Sequence, residues 1–299
     1  MESFRLKVFR SVAANLSFTK AANELFITQP AITKNIQALE KEIGLRLFSR
    51  IGNKITLTPA GKVLFEYANK LSTMKIDLDN RLNSFKEEKT GVLRIGASTT
   101  IAQYIIAEVL AKFHKKFPSV KIFLTSGNSE KIAAALLNGE IDLGIVEGKV
   151  KSHDIHYTKF ISDELVAVVS QRNNLIVKNE ITLNELTKIP IVLRESGSGT
   201  LEVFEHAIRN KKIKLSSLNI IMQLGSTEAI KQYLETDNCL GFISIRAIEK
   251  ELKKGTLRKI KVRNFQIKRT LDFIMPQGSS FSAMAVQFIK LAGQTYNQK

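Results

Sequence analysis

Residues 17–40, SFTKAANELFITQPAITKNIQALE, constrain this chain more than any other stretch. They read as two short helices with a tight turn between them. Ala21, Ala22 and Leu25 share the inner side of the first helix, and the small alanines let the second approach closely. Phe26 and Ile27 are expected to fill the turn. Thr28 is placed to cap the second helix, and Pro30 fits its first turn, where a missing N–H costs little. Ile32, Ile36 and Leu39 fall on one buried stripe at helical spacing. The opposite face carries Pro30, Thr33, Lys34, Gln37 and Lys41 and no acidic residue. Its hydroxyl, amide and ammonium groups can read base edges or bind phosphates in a major groove. The competing reading is a solvated amphipathic helix in an ordinary bundle.

Residues 44–61, GLRLFSRIGNKITLTPAG, favour a helix-turn-helix. Leu47-Phe48 and Ile55/Leu57 read as short strands with Ile51-Gly52-Asn53-Lys54 turning between them, a wing. Arg50 and Lys54 sit where a wing meets phosphates or a minor groove, although an exposed basic hairpin without a ligand has the same sequence. Phe4, Leu6, Val8, Phe9, Val12 and Leu16 suggest a supporting first helix. Thr58-Pro59 starts another. Its apolar residues Leu64, Tyr67, Leu71, Met74 and Leu78 are spaced 3, 4, 3 and 4, a coiled-coil seam that Leu82 and Phe85 extend. Such a seam seeks a second chain, and two-fold pairing would present two recognition helices to a two-fold operator. Lys86–Gly91 reads as a hinge.

From Val92 strands and helices alternate: VLRIGAS, QYIIAEVLAKFHKKF, VKIFLTSG, SEKIAAALLNG, IDLGIVEG, and a second unit from ELVAVVS onward. The βαβαβ run before that second unit implies a parallel sheet with helices on both faces. The expected fold class is α/β with an N-terminal all-α winged helix-turn-helix. The expected domains are the winged helix at 1–58, a linker helix at 59–90, one α/β lobe at 91–162 with 267–299, and a second at 163–266. Ligands in open α/β sheets bind beyond strand carboxyl ends. Here those ends are rich in hydroxyls: Ser98 and Thr100, Ser129, Ser198 and Thr200, and Thr227. Each loop precedes a helix, whose free N–H groups suit an anion. The glycines of SGSGT permit close backbone approach. The alternative is that these residues only cap helices. Glu147, ending the third strand, is unfavourable beside an anion unless it faces away.

The net charge of +17 favours a polyanionic partner, but the excess is +6 over residues 1–90 and +11 over the rest, so it does not locate the surface. Cys239 is the one cysteine, which excludes an intrachain disulfide and fits a reducing cytosol; a buried, inert thiol is expected rather than a redox sensor. Charges at positions 2, 5, 7 and 10 argue against a secretion signal, and no stretch approaches the roughly 20 apolar residues of a membrane span, so the expected location is cytoplasmic. Neither G-x-G-x-x-G nor G-x-x-x-x-G-K-[ST] occurs, and the histidines His114, His153, His156 and His206 lack ligand spacing. The expectation is no catalytic residues, no metal and no cofactor. An α/β solute-binding protein or an enzyme without a role on DNA are the alternatives; the former lacks its signal peptide, the latter a catalytic constellation.

The run AANELFITQPAITKNIQALEKEIGLRLFSR…ITLTPAG resembles the N-terminal signature of LysR-type transcriptional regulators. It does so at Ala21-Ala22, Leu25, Gln29-Pro30-Ala31, Thr33 (usually serine), Ile36, Leu39-Glu40, Gly44, Leu47-Phe48, Arg50 and Leu57–Gly61. The resemblance implies DNA contacts at Gln29, Pro30, Thr33, Lys34, Gln37, Arg50 and Lys54. It also implies two lobes similar to a type 2 periplasmic-binding-protein fold, dimers commonly assembled into tetramers, and RNA polymerase as an admissible further partner. ASTTIAQY and RESGSGT look most like regulators of sulfur assimilation and carbon fixation. Those sense small anions or phosphorylated metabolites, which makes a small anionic metabolite the implied effector at Ser98, Thr100, Ser129, Ser198, Thr200 and Thr227. If the second helix reads sequence, Gln37→Ala should lose about 1–3 kcal/mol on the specific operator and far less on random DNA, checked by gel shift on both.

Overall fold

The computed structural model describes residues 3–51, 54–84, 91–148, 151–279 and 281–297, and the chain divides into two units after Lys86. In the first unit, helices α1 (Phe4–Asn15), α2 (Phe18–Leu25) and α3 (Gln29–Ile43) enclose a core of Val8, Phe9, Val12, Ala21, Ile32, Ile36 and Leu39. The caps are those the sequence offers: Ser17 accepts from the Lys20 N–H, and Thr28 from that of Ala31. Phe26 departs from expectation. It ends α2 in the left-handed conformation, φ 54°, donates its N–H to the Ala22 and Asn23 carbonyls, and leaves its ring 95% exposed. That backbone turn swings its Cβ outward, and Ile27 alone packs inward.

Strands β1 (Phe48–Ile51) and β2 (Lys54–Leu57) pair antiparallel as the wing, Phe48 opposite Leu57. Gly52 and Asn53 of its turn lie outside the described residues, as do Phe85 of the expected seam and residues 86–90 of the expected hinge. The Glu40 carboxylate ties wing to helix, accepting the Leu47 N–H at 2.7 Å and that of Phe48 at 3.3 Å. The first turn of α4 (Pro59–Ser84) lies so close that a Cβ on Gly61 would stand 2.1 Å from the Leu47 carbonyl oxygen. Leu64 joins the domain core, whereas Tyr67, Leu71, Met74 and Leu78 are 51–68% exposed. The seam therefore starts in the core and leaves it.

The second unit comprises β3 (Gly91–Ser98), α5 (Thr99–Tyr104), α6 (Ile106–Lys116), β4 (Val120–Gly127), α7 (Ser129–Leu137), β5 (Leu143–Glu147) and β6 (Ile155–Ser170). It continues with β7 (Glu180–Ile181), α8 (Leu183–Leu186), β8 (Ile191–Arg194), α9 (Gly199–Arg209), β9 (Ile220–Leu224), α10 (Thr227–Thr236) and β10 (Leu240–Ser244). α11 (Glu249–Lys254), β11 (Leu257–Val262), β12 (Ile267–Pro276) and α12 (Ala283–Asn297) complete it. Two apolar cores define two lobes, one around Leu93, Ile101, Phe113, Phe273 and Phe288, the other around Leu193, Phe204, Phe242 and Ile260.

The parallel sheet expected of the first βαβαβ run is observed, within a larger mixed sheet. β3, β4 and β5 are parallel, as are β8, β9 and β10, but both trios join through antiparallel β12 and β6. β6, read from Glu164 onward, starts at Ile155 because its first half pairs with β12. The single expected helix QYIIAEVLAKFHKKF is two, since the Ile105 carbonyl turns to accept the Tyr296 hydroxyl at 2.6 Å.

The exposed seam yields a test of assembly. Leu71→Asp should dissociate dimers and collapse operator affinity while the second unit stays folded, because a charge buried in a helix seam without a partner is strongly unfavourable. Sedimentation velocity reads the mass; an unchanged oligomer would remove α4 from this role.

Candidate functional site

On α3, Gln29, Pro30, Lys34, Gln37 and Lys41 are exposed on the face opposite the buried stripe. Thr33 is half-buried and donates its hydroxyl to the Gln29 carbonyl at 3.1 Å, while the Gln29 amide reaches the Thr33 oxygen at 3.4 Å. The two residues thus hold one another in place. Arg50 and Lys54 fall on the paired strands, Arg50 opposite Ile55 and Lys54 opposite Ile51, but their side chains lie outside the described residues.

In the second unit, the strand-end loops of the two lobes meet. Ser98 donates to the Glu147 carboxylate, and Thr200 donates to the same group at 3.3 Å. Thr100 and Thr227, each opening a helix in a different lobe, bring their hydroxyl oxygens to 3.5 Å. The helix-cap alternative can be examined directly. The side chains that cap α7 and α10 are Asn128 and Ser226, whereas Ser98 and Ser198 stand at cap positions without capping. Gly199 allows the lobes to touch, since a Cβ there would lie 1.9 Å from the Glu147 carbonyl oxygen. The Glu130 N–H donates to the Gly197 carbonyl at 3.1 Å across the same junction.

Two arginines complete the centre, and sequence reasoning missed both. Arg194, ending β8 and 2% exposed, grips Glu195 with Nε at 2.8 Å and Nη2 at 3.0 Å, and approaches Thr227 at 3.5 Å and Thr99 at 3.4 Å. Arg269 on β12 binds Asp163 at 2.8 Å, donates to Thr200 at 2.9 Å and lies 3.6 Å from Glu147. Asp163 also accepts from Ser244 at 2.8 Å. Glu147 therefore faces inward, held by two hydroxyls and a guanidinium. The signal that could have found these residues is a charge inside an otherwise apolar strand, as in PIVLRE, because such residues are almost never fully buried unless paired. Ser129 and Ser198 line an adjoining cavity of about 450 Å³ rather than the arginine centre.

A second clasp joins the lobes at α5. Tyr104 donates to Glu228, whose other partner Lys231 also binds Glu251 at 2.7 Å and the Ala247 carbonyl at 3.1 Å. Burial works against the charges of Glu228 and Lys231, but hydrogen bonds outweigh it: those from Tyr104 and Lys231 hold the Glu228 carboxyl below its ordinary range, and those to Glu251 and Glu228 push the Lys231 ammonium up. Tyr104 is pushed up, first by burial and then by Glu228. Cys239 is fully buried, and burial raises its thiol to about 11, which keeps it protonated.

A winged helix followed by a two-lobed α/β domain, with a polar cleft between the lobes, defines a transcriptional regulator with a separate effector-binding domain. Residues 4–62 match the bacterial regulatory helix-turn-helix protein, lysR family, and residues 86–297 the LysR substrate binding domain; the chain belongs to the LysR family of DNA-binding transcriptional regulators. It is 31% identical over 287 residues to the probable RuBisCO transcriptional regulator of Phaeodactylum tricornutum, spanning 95% of this chain and 93% of that one. To the HTH-type transcriptional activator CmpR of Synechocystis it is 30% identical over 285 residues, 95% and 92% of the two chains. Its fold resembles the Synechocystis PCC6803 CcmR regulatory domain in complex with 2-PG, with TM-score 0.62, 26% identity, and coverage of 69% of this chain and 97% of that one. It also resembles CbnR, a LysR family transcriptional regulator, with TM-score 0.64, 18% identity and 99% of both chains covered.

The α5 clasp gives a stability test. Lys231→Met should lower the stability of the second unit by about 1 kcal/mol near neutral pH, because it removes the partner of two carboxylates that keep partial access to solvent, Glu228 at 45% and Glu251 at 17% exposed. Glu228 has a depressed folded pKa, so its contribution is present above the ordinary carboxylate pKa and lost as pH falls. The wild-type advantage, read by urea denaturation at pH 7 and pH 4, should narrow in acid.

Proposed function

We propose that the chain regulates transcription through a small anion bound reversibly between the lobes, with Arg194 as the principal charged contact. The observation that carries this is a nearly fully buried guanidinium reaching hydroxyls of both lobes, Thr99 on one side and Thr227 on the other. Thr227 and, through it, Thr100 adjoin Arg194, Ser98 and Thr200 adjoin Glu147 and Arg269, and Ser129 and Ser198 stand at the margin. Both arginines are already paired, Arg194 with Glu195 and Arg269 with Asp163 and Glu147. The effector therefore exchanges with a resident carboxylate, Glu195 being the more accessible. The ligand of the CcmR domain, 2-PG, supports an anion of that size and charge.

The DNA contacts are Gln29, Pro30, Thr33, Lys34, Gln37, Arg50 and Lys54, and Tyr67, Leu71, Met74 and Leu78, continuing the seam that Leu64 begins in the domain core, join two chains, with tetramers built from such dimers. The division is the winged helix at 1–58, the linker at 59–90, one lobe at 91–162 with 267–299, and the other at 163–266. Effector exchange shifts the balance between lobe arrangements, which changes how dimers are disposed and how DNA is bent. The relatives are transcriptional regulators, and the strand-end loops supply hydroxyls rather than a group suited to chemistry, which supports a non-enzymatic role. The described helices include none long and apolar enough to cross a membrane; with DNA as target, this supports a cytoplasmic location.

Thr100→Val and Thr200→Val test the reading from opposite lobes, since valine keeps the volume and removes the hydroxyl. Hydrogen bonds to a charged group are worth about 1.5–3 kcal/mol, so each variant should bind anion roughly 10- to 150-fold more weakly while basal operator binding survives. Calorimetry with 2-PG, sulfate and small carboxylates, alongside footprinting, reads both effects. Wild-type affinity in both variants would place the sensing site elsewhere.

A further inference from the structure

The stretch from Lys253 to Thr270, KKGTLRKIKVRNFQIKRT, holds eight lysines and arginines in eighteen residues and no acidic residue. Residues 91–299 carry a net charge of +11, so this short piece accounts for most of their excess. Two of its cations are used inside the fold. Arg258 donates to the carbonyls of Ile176 and Lys178, and Arg269 is the buried partner of Asp163. The other six, Lys253, Lys254, Lys259, Lys261, Arg263 and Lys268, are exposed.

The fold sets three of these in a row. Lys259 and Lys261 alternate with the buried Ile260 and Val262 on β11, so their side chains leave the same face of the strand, and Arg263 follows at the same two-residue step. Glu180 on β7 meets both Lys261, at 3.1 Å, and Arg263, at 2.7 Å, which places those two on one side. That single carboxylate offsets one charge of the three, and Lys259 has no ion-pair partner among the described residues. Exposed pairs of this kind are weak and leave the row free to meet a stronger anion. Successive members stand roughly 6.7 Å apart, about twice the 3.4 Å axial spacing of phosphates along one strand of DNA. Phe265, the one aromatic residue of the stretch, packs against Phe242 in the lobe core, so no ring is offered for stacking on unpaired bases. Among polyanions, the backbone of a duplex is the one this surface fits.

We propose that this strip of the second unit binds the phosphate backbone of duplex DNA, without regard to sequence, as a DNA contact additional to the winged helix. Lysine and arginine contacts to phosphates raise affinity and its salt dependence but do not distinguish bases. The strip would thus hold DNA adjoining the operator, while the choice of operator stays with the first unit.

The experiment is gel shift of the full chain on long duplexes, one carrying the operator and one of random sequence, across a series of salt concentrations. The strip variant is Lys259→Gln/Lys261→Gln, and the control, Lys188→Gln/Lys211→Gln, makes the same charge change elsewhere on the lobe. The strip variant should lose affinity about fivefold or more, by the same factor on both DNAs, and its plot of log affinity against log salt should flatten by about two units, close to one per phosphate released. The control should keep the wild-type slope. Gln37→Ala, run alongside, should lose affinity for the operator alone, so failure of the α3 reading registers separately. Circular dichroism and sedimentation establish that each variant is folded and of wild-type mass. Lys259→Gln breaks no ion pair and carries the test, with a flattening of about one unit, if the double variant is altered in either respect. A slope in the strip variant equal to that of wild type or of the control, or a loss confined to the operator, overturns the proposal.

Discussion

The antiparallel pairing of β6 with β12 is the constraint on which the second unit depends. These two strands run through both lobes, and their register sets Arg269 directly opposite Asp163. Both side chains are fully withdrawn from solvent, and a buried charge without a partner is among the most costly defects a fold can carry. Asp163 takes two guanidinium contacts and the Ser244 hydroxyl; Arg269 spends its remaining edge on Thr200 and Glu147. A one-residue slip would turn every side chain to the other face and strand this pair. The register therefore positions the end of β5, the first turn of α9 and the end of β10 together.

The first unit has a smaller version of the same logic. Glu40 sits on the recognition helix yet points at the wing, where two backbone N–H groups would otherwise lack acceptors. Its carboxylate is removed from the DNA-reading face, which keeps that face free of negative charge. The wing is held by the helix it flanks, and the Gly61 approach to Leu47 fixes where α4 departs.

Legibility in the sequence tracks how local the determining interactions are. The helix-turn-helix can be read because its caps, its alanine pair and its Ile32–Leu39 stripe all act within a few residues. Phe26 misleads because apolar character suggests burial, whereas the left-handed cap decides the direction of its side chain. The strand-end hydroxyls are visible, and the structure brings four of them to one centre. Arg194 and Arg269 show only as charges inside apolar strands: Arg194 pairs with the adjacent Glu195, but the partners that neutralise Arg269 come from β5 and β6, over a hundred residues away. The start of β6 is hidden for a similar reason: IHYTKFISD carries too many polar residues to look like a strand until β12 lies beside it.

A cleft already closed on its own side chains can still sense a ligand, and energetics decide how. An effector that binds two lobe arrangements equally shifts nothing, however tightly it binds. The contacts that exist only across the lobes are Thr100 with Thr227, Glu130 with Gly197 and Tyr104 with Glu228, and the proposed effector would act by changing them. An anion that takes Glu195's place on Arg194 keeps the guanidinium paired throughout, so no naked buried charge is formed on the way. The net gain is then the difference between two charge-assisted hydrogen-bond sets, on the order of 1–3 kcal/mol, which is the range in which allosteric couplings operate. A bare cationic pocket would bind anions more tightly but would have no resident carboxylate to release. In the proposed exchange, release of that carboxylate would distinguish the ligand-free from the ligand-bound lobes and so bias one arrangement over the other.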